Sequence, residues 1–119
     1  IDMLTYWGYS KAAQLGGNEN PGMWMAGGTM RLLERAADDI IHIDLDACQA
    51  YDQGLTHAGS VQCPTLFILG ERDIMTPVRS AQKLVGSVTD TKVCVIDGSG
   101  HSLMMERPND VLDALIGIV

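Results

Sequence analysis

The sequence predicts an α/β fold in which parallel strands alternate with helices behind a mostly helical opening segment. Three observations predict it. Thr65-Leu66-Phe67-Ile68-Leu69 is an almost unbroken run of strand formers between Pro64 and Gly70, and Val93-Cys94-Val95-Ile96 is a second such run. Between them Val78, Ala81, Leu84 and Val85 recur at helical spacing. A strand that is apolar at nearly every position is buried on both faces, as in parallel sheets. The order strand, helix, strand with a parallel pair demands a right-handed crossover.

The elements follow in chain order. Residues 2 to 15 read as a helix, with Asp2 as its cap and Leu4, Trp7, Ala12 and Leu15 as its apolar face, ended by the breaker cluster from Gly16 to Gly22. A second helix spans Trp24 to Ala37, weakened by Gly27 and Gly28. A third runs from about Asp44 to Gln53, with Leu45, Cys48 and Tyr51 as a short stripe and Gly54 placed as its C-cap. Pro64 opens the first strand at the position that tolerates a missing donor. Thr76 is placed to cap the next helix, with Pro77 at its first turn, and the helix runs to Gly86. The strand Lys92 to Ile96 follows, and Pro108 begins a last helix carrying Val111, Leu112, Leu115 and Ile116.

Two polar residues stand just past the strand ends. Asp73 follows the first strand in Gly70-Glu71-Arg72-Asp73-Ile74-Met75-Thr76-Pro77, and His101 follows the second in Gly98-Ser99-Gly100-His101. In open parallel sheets the ligand crevice lies at the carboxyl ends of the strands, so residues 28 positions apart can meet there. A histidine can take a proton from a nucleophile, and a carboxylate on its other ring nitrogen fixes its tautomer and stabilises the imidazolium. Asp73 and His101 suit these two roles, the acid preceding the base.

From Cys63 to Val119 the sequence resembles the C-terminal part of an α/β-hydrolase, in which the triad runs nucleophile, acid, histidine along the chain. Two patterns carry the resemblance: Gly-x-x-Asp-x-x-x-Pro at Gly70, Asp73 and Pro77, and Gly-x-Gly-His-x-x-x-x-Glu-x-Pro at Gly98, Gly100, His101, Glu106 and Pro108. The resemblance implies parallel strands with helices, preceded by part of a helical cap at residues 1–40, with residues 41–119 belonging to the core. It implies Asp73 and His101 as catalytic acid and histidine, Met75 and Leu103 as substrate-lining residues, and hydrolysis of an ester or related bond through a covalent intermediate, with neither cofactor nor metal. The competing reading is a non-catalytic ligand-binding or interaction module on the same fold, since fold alone does not settle function.

The third triad member is missing. The family's nucleophile sits in a G-x-S-x-G elbow, whose strained turn tolerates only small flanking residues. No two of the thirteen glycines are four positions apart. Ser99 comes nearest, but it is flanked two away by Asp97 and His101, in the loop that already presents the histidine. The chain opens at Ile1 without an initiator methionine or a signal-peptide-like segment, directly into helix-like sequence. It is therefore expected to begin mid-domain as the back part of a larger enzyme, inactive alone, whose Ser or Asp nucleophile stands upstream.

Other residues carry weaker signals. Glu71 and Arg72 are expected to face solvent or pair locally, and His57 has no evident partner. His42, Asp44 and Asp46 alternate like metal ligands, but Asp at a helix start simply favours the positive dipole end. Glu106 is expected to serve the start of the last helix. Met3, Met23, Met25 and Met30 suit either the roof of an apolar pocket or ordinary helix packing, and packing is the more frequent use.

Composition narrows the partners. A formal charge of −7 with scattered Lys and Arg argues against a nucleic-acid surface, which needs a basic stripe. No run reaches the ~18 apolar residues of a membrane span. Cys48, Cys63 and Cys94 are odd in number and lack CxxC spacing, which fits a reducing cytoplasm better than a disulfide framework or a zinc site. The expected partners are a small apolar ester-like substrate and a second copy of the chain, joined through an exposed sheet edge at Leu66 and Ile68 or through the methionine-rich cap.

Overall fold

A computed structural model describes residues 2–17, 19–20 and 22–118. The chain runs α1 (Asp2–Trp7), α2 (Lys11–Gln14), α3 (Met25–Glu34), α4 (Ile40–Ala50), α5 (Gly54–Ala58), β1 (Thr65–Gly70), α6 (Val78–Ser87), β2 (Thr91–Ile96), α7 (Leu103–Glu106) and α8 (Pro108–Ile116). The two apolar runs form a parallel pair, in register from Thr65 opposite Thr91 to Gly70 opposite Ile96. Helix α6 makes the crossover and packs on both strands, while α8 packs on β2 and α5 on α6. This α/β architecture is the one the apolar runs predict.

The opening segment departs from the sequence reading. A single helix over residues 2 to 15 is replaced by α1 and α2 with a break at Gly8-Tyr9-Ser10. Ser10 takes an extended backbone (φ −61°, ψ 156°) and its hydroxyl accepts the Ala13 N–H, so it restarts the chain as a true N-cap. The break turns Tyr9 inward, where it forms a small core with Ala13 and Ala26, flanked by Met25 and Met105, whereas Leu15 of the expected stripe is exposed. The side chain of Asp2, and Asn18 and Pro21 of the breaker cluster, lie outside the described residues. In α3, Gly27 makes room for a neighbouring side chain. A Cβ there would collide with the ring of Trp24, which folds back over it.

Three further boundaries shift. Helix α4 starts at Ile40, after an Asp39 with φ 64°, and Tyr51 rather than Gly54 takes its C-cap position. Gly54 instead opens α5, a helix the sequence reading missed. The stripe Leu45, Cys48 and Tyr51 is exposed, and no residue of α4 is buried. Pro77 occupies the N-cap position of α6, so Thr76 does not cap the helix and its hydroxyl is used elsewhere. The short α7 was also unforeseen.

Much apolar surface stays uncovered. Val93 and Val95 of β2 are 49% and 46% exposed, although parallel strands are normally covered on both faces. The radius of gyration, 15.7 Å, exceeds the roughly 13.5 Å of a compact domain of this length. Among the described residues no helix is long and apolar enough to cross a membrane.

Candidate active site

The parallel register brings the two strand ends side by side, and backbone bonds continue past the sheet. The Glu71 N–H donates to the Ile96 carbonyl at 3.0 Å and the Arg72 N–H to the Ser99 carbonyl at 2.8 Å, so the loops that follow β1 and β2 are laced together. Such close approach needs glycine. A Cβ on Gly70 would run into the Gly100 and Ser99 carbonyls, and one on Gly100 would meet backbone atoms of Tyr9 and Ser10 and the Glu106 carboxylate. Gly98, with φ +69°, makes the turn that leads β2 into the histidine loop.

Within this frame the imidazole Nδ1 of His101 lies 2.9 Å from Oδ2 of Asp73. The same Oδ2 accepts the Thr76 hydroxyl at 2.8 Å, and Oδ1 accepts the N–H groups of Met75 and Thr76 at 2.8 and 2.9 Å. All the acceptor capacity of a buried carboxylate is thus engaged, and its orientation is fixed. With Nδ1 donating to Asp73, the lone pair of His101 is on Nε2. The Asp73 side chain is 4% exposed and the His101 side chain 42%, so the carboxylate is enclosed and the imidazole faces outward.

Burial alone would raise the Asp73 pKa. The Thr76 N–H, the imidazole and the Thr76 hydroxyl outweigh it and hold the carboxyl below its ordinary value. Folding therefore favours the ionised carboxyl, a contribution complete above the ordinary Asp pKa of ~3.9 and lost as pH falls through the lower folded value. Urea unfolding between about pH 6 and about pH 2.5 should show acid destabilising Asp73→Asn less steeply than the unsubstituted chain. Parallel pH profiles would show that folding does not favour the ionised form.

The remaining candidates fall into place around this pair. Leu103 lines an open cavity of about 480 Å³ together with His101, Ile68, Ser102, Met104, Met105, Val111 and Leu115. Met75 is not among those lining residues and is 39% exposed. Ser99 is fully buried and its hydroxyl donates to the Gly100 carbonyl. Arg72 pairs with Glu71 at 3.2 Å, and Glu71 also accepts the Gly98 N–H, which lowers its pKa. His42, in the first turn of α4, pairs with Asp46 one turn on at 3.4 Å, and no group of three or more potential metal ligands occurs among the described residues. His57, expected to stand alone, has its Nδ1 2.7 Å from the Tyr51 hydroxyl.

Glu106 is the residue the sequence reading undervalued. It is 2% exposed, and its carboxylate accepts the N–H of Gly100, next to the histidine, and that of Ser10. It therefore serves the histidine loop rather than the start of α8, where Arg107 stands at the N-cap. The signal available was its fixed place five residues past the histidine.

Comparison with known proteins adds to this picture. No protein-family model matches the chain. The structure superposes on a thermophilic esterase with a TM-score of 0.74 at 24% identity, covering 98% of this chain and 43% of that one. It superposes on Est816, an N-acyl homoserine lactone degrading enzyme, with a TM-score of 0.73 at 25% identity, covering 99% of this chain and 46% of that one. In sequence, 48 residues are 40% identical to monoacylglycerol lipase ABHD6 of Rattus norvegicus, covering 40% of this chain and 14% of that protein. These likenesses indicate a fragment of the α/β-hydrolase fold. The chain spans less than half the length of these α/β-hydrolases and has the fold of a C-terminal portion, in which helices precede a parallel pair.

Proposed function

We propose that this chain supplies the acid, Asp73, and the general base, His101, of a nucleophile-histidine-acid triad that hydrolyses an ester or related bond. The observation that carries the reading is the 2.9 Å contact between His101 Nδ1 and an Asp73 carboxylate whose other bonds are all satisfied. Names of the similar proteins, an esterase and a lipase, agree with an ester substrate.

In this proposal residues 1–40 contribute to a cap and residues 41–119 to the core, and the nucleophile comes from a segment preceding residue 1. If it is a serine, His101 Nε2 takes the hydroxyl proton as oxygen attacks the ester carbonyl, then passes that proton to the departing alkoxide. Water, deprotonated by the same nitrogen, cleaves the acyl-enzyme and restores the serine. If it is an aspartate, His101 acts only in the second step, activating the water that opens the covalent ester. Asp73 stabilises the imidazolium in both cases. Leu103 and Met75 line the substrate, a small apolar ester, and the three free cysteines fit a cytoplasmic setting.

Two observations test the reading: whether the preceding coding sequence contains G-x-S-x-G or G-x-D-x-G, and whether p-nitrophenyl ester turnover requires that segment. A preceding elbow without a nucleophile would favour the non-catalytic module. The half-exposed valines of β2 support a further proposal, that the chain associates with a second copy through the sheet or the methionine-rich opening segment. Sedimentation at micromolar concentration is expected to give a dimer or larger species, and a strict monomer would exclude it.

A further inference from the structure

The loop that presents His101 is fastened on both sides of the histidine, and both fastenings reach the same short stretch of chain. Before it, the Gly100 N–H donates to both carboxylate oxygens of Glu106 at 3.1 Å. After it, the Ser102 N–H donates to the Gly8 carbonyl at 2.9 Å. The Ser10 N–H approaches the same two Glu106 oxygens at 3.4 and 3.2 Å, so one carboxylate joins the residue before the histidine to the residue that starts α2. Tyr9, between Gly8 and Ser10, is held in turn by the Thr29 hydroxyl of α3 at 2.7 Å and the Met105 sulfur of α7 at 3.1 Å. At the surface, the Arg107 guanidinium and the Asn109 side-chain amide meet Glu19 at 3.4 and 3.1 Å, fastening the loop beyond α2 to the α7 to α8 junction.

We infer that Glu106 is a positioning residue for His101, setting the imidazole against Asp73 and transmitting to it the placement of the opening helices. The inference rests on the reading of His101 as the base. Two convergent N–H donors, each shared between both oxygens, are met best by a group that accepts at both of its atoms and is charged, and a carboxylate does so. A glutamine has one accepting oxygen where the carboxylate has two, carries no charge to strengthen the bonds, and turns an NH₂ that can only donate toward the same two N–H donors. Glu106 touches no reacting atom, and acts by denying the Gly100 peptide any other position. The glycine is part of the same device, since any larger residue at 100 would displace the carboxylate and the chain at Tyr9 and Ser10.

The test uses the whole 119-residue chain, isotopically labelled, and needs no nucleophile. In the unsubstituted protein, couplings across hydrogen bonds should link the amide nitrogens of both Gly100 and Ser10 to the side-chain carboxyl carbon of Glu106. Their absence overturns the bridge even if every variant fails to fold. In Glu106→Gln the Gly100 and Ser10 amides should exchange with solvent at least about tenfold faster, while those of Met75 and Thr76 keep their protection. The His101 ring-nitrogen shifts should move from a single Nδ1–H tautomer to a mixture. Uniform loss of protection, or unchanged ring-nitrogen shifts, would show a merely structural carboxylate and overturn the inference. If His101 lacks the Nδ1–H signature already in the unsubstituted protein, the acid and base reading fails instead, and the couplings to Glu106 still report on the bridge.

Discussion

Joined to a preceding segment that carries an elbow nucleophile, the chain should hydrolyse p-nitrophenyl esters, and His101→Ala should lower kcat/KM by at least ~10³-fold. The size of the effect follows from the bond chemistry. Without an acceptor on Nε2 the nucleophile must lose its proton to water, and without a donor the alkoxide leaves unprotonated. Asp73→Asn should cost on the order of 10⁴-fold in kcat, by analogy with the triad in which the same change leaves the geometry intact and reverses the tautomer. An asparagine NH₂ turned toward His101 meets Nδ1 as a donor and forces the proton onto Nε2, the nitrogen that must accept. The chain alone should show no turnover above that of surface histidines. Ester hydrolysis by the 119-residue chain that disappears with His101→Ala would instead point to a nucleophile inside it.

The second large effect is on stability. Gly100→Ala should lower unfolding free energy by about 2 to 4 kcal/mol, the cost of forcing a methyl group into a packed site with little room to relax. The atoms it would meet are the Tyr9 and Ser10 backbone, which cannot swing aside, and the end of the Glu106 side chain, which is tied to the Ser10 and Gly100 N–H groups. Gly86→Ala is the control: it lies within α6 with nothing near its added carbon, and should stabilise by about 0.4 to 1 kcal/mol through lower unfolded-state entropy. Urea midpoints separate the two. Equal stability of Gly100→Ala and the unsubstituted chain would mean that the histidine loop is not seated against residues 9 and 10.

What could be read from the sequence was what local chemistry dictates. Thr65 to Leu69 and Val93 to Ile96 are strands because their apolar character is continuous and their ends are punctuated by Pro64 and Gly70 or by the loop at Gly98. Pro108 marks the first turn of α8 wherever that helix packs. The approach of Asp73 to His101 was legible because both residues sit at fixed offsets from the ends of adjacent parallel strands. The break at Gly8-Tyr9-Ser10 carried a signal, a glycine and a strong N-cap residue, but helical spacing outweighed it until Tyr9 found a core to enter. Thr76 looked like a helix cap because that is the usual use of a threonine before proline, and only the position of Asp73 shows that its hydroxyl is committed there. Glu106 was only half legible, for a different reason. Its bond to Gly100 spans only six residues and its place after the histidine hinted at it, but its other partner, Ser10, is 96 residues away, and no local pattern encodes a bond of that span.

That span separates the two halves of the site thermodynamically. Asp73 and His101 close a loop of 28 residues, Ser10 and Glu106 one of 96. Chain statistics make the longer closure costlier by about 1 kcal/mol, since the entropy of joining two points grows with the logarithm of the contour between them. When the molecule loosens, the seat of the opening helices should part first while Asp73 and His101 stay together on their strand ends. In the unsubstituted chain this would appear as faster amide exchange at Ser10 than at Met75 and Thr76. Connectivity alone thus makes the contact between Asp73 and His101 the more durable part of the site and the grip on the opening helices the part that breathes.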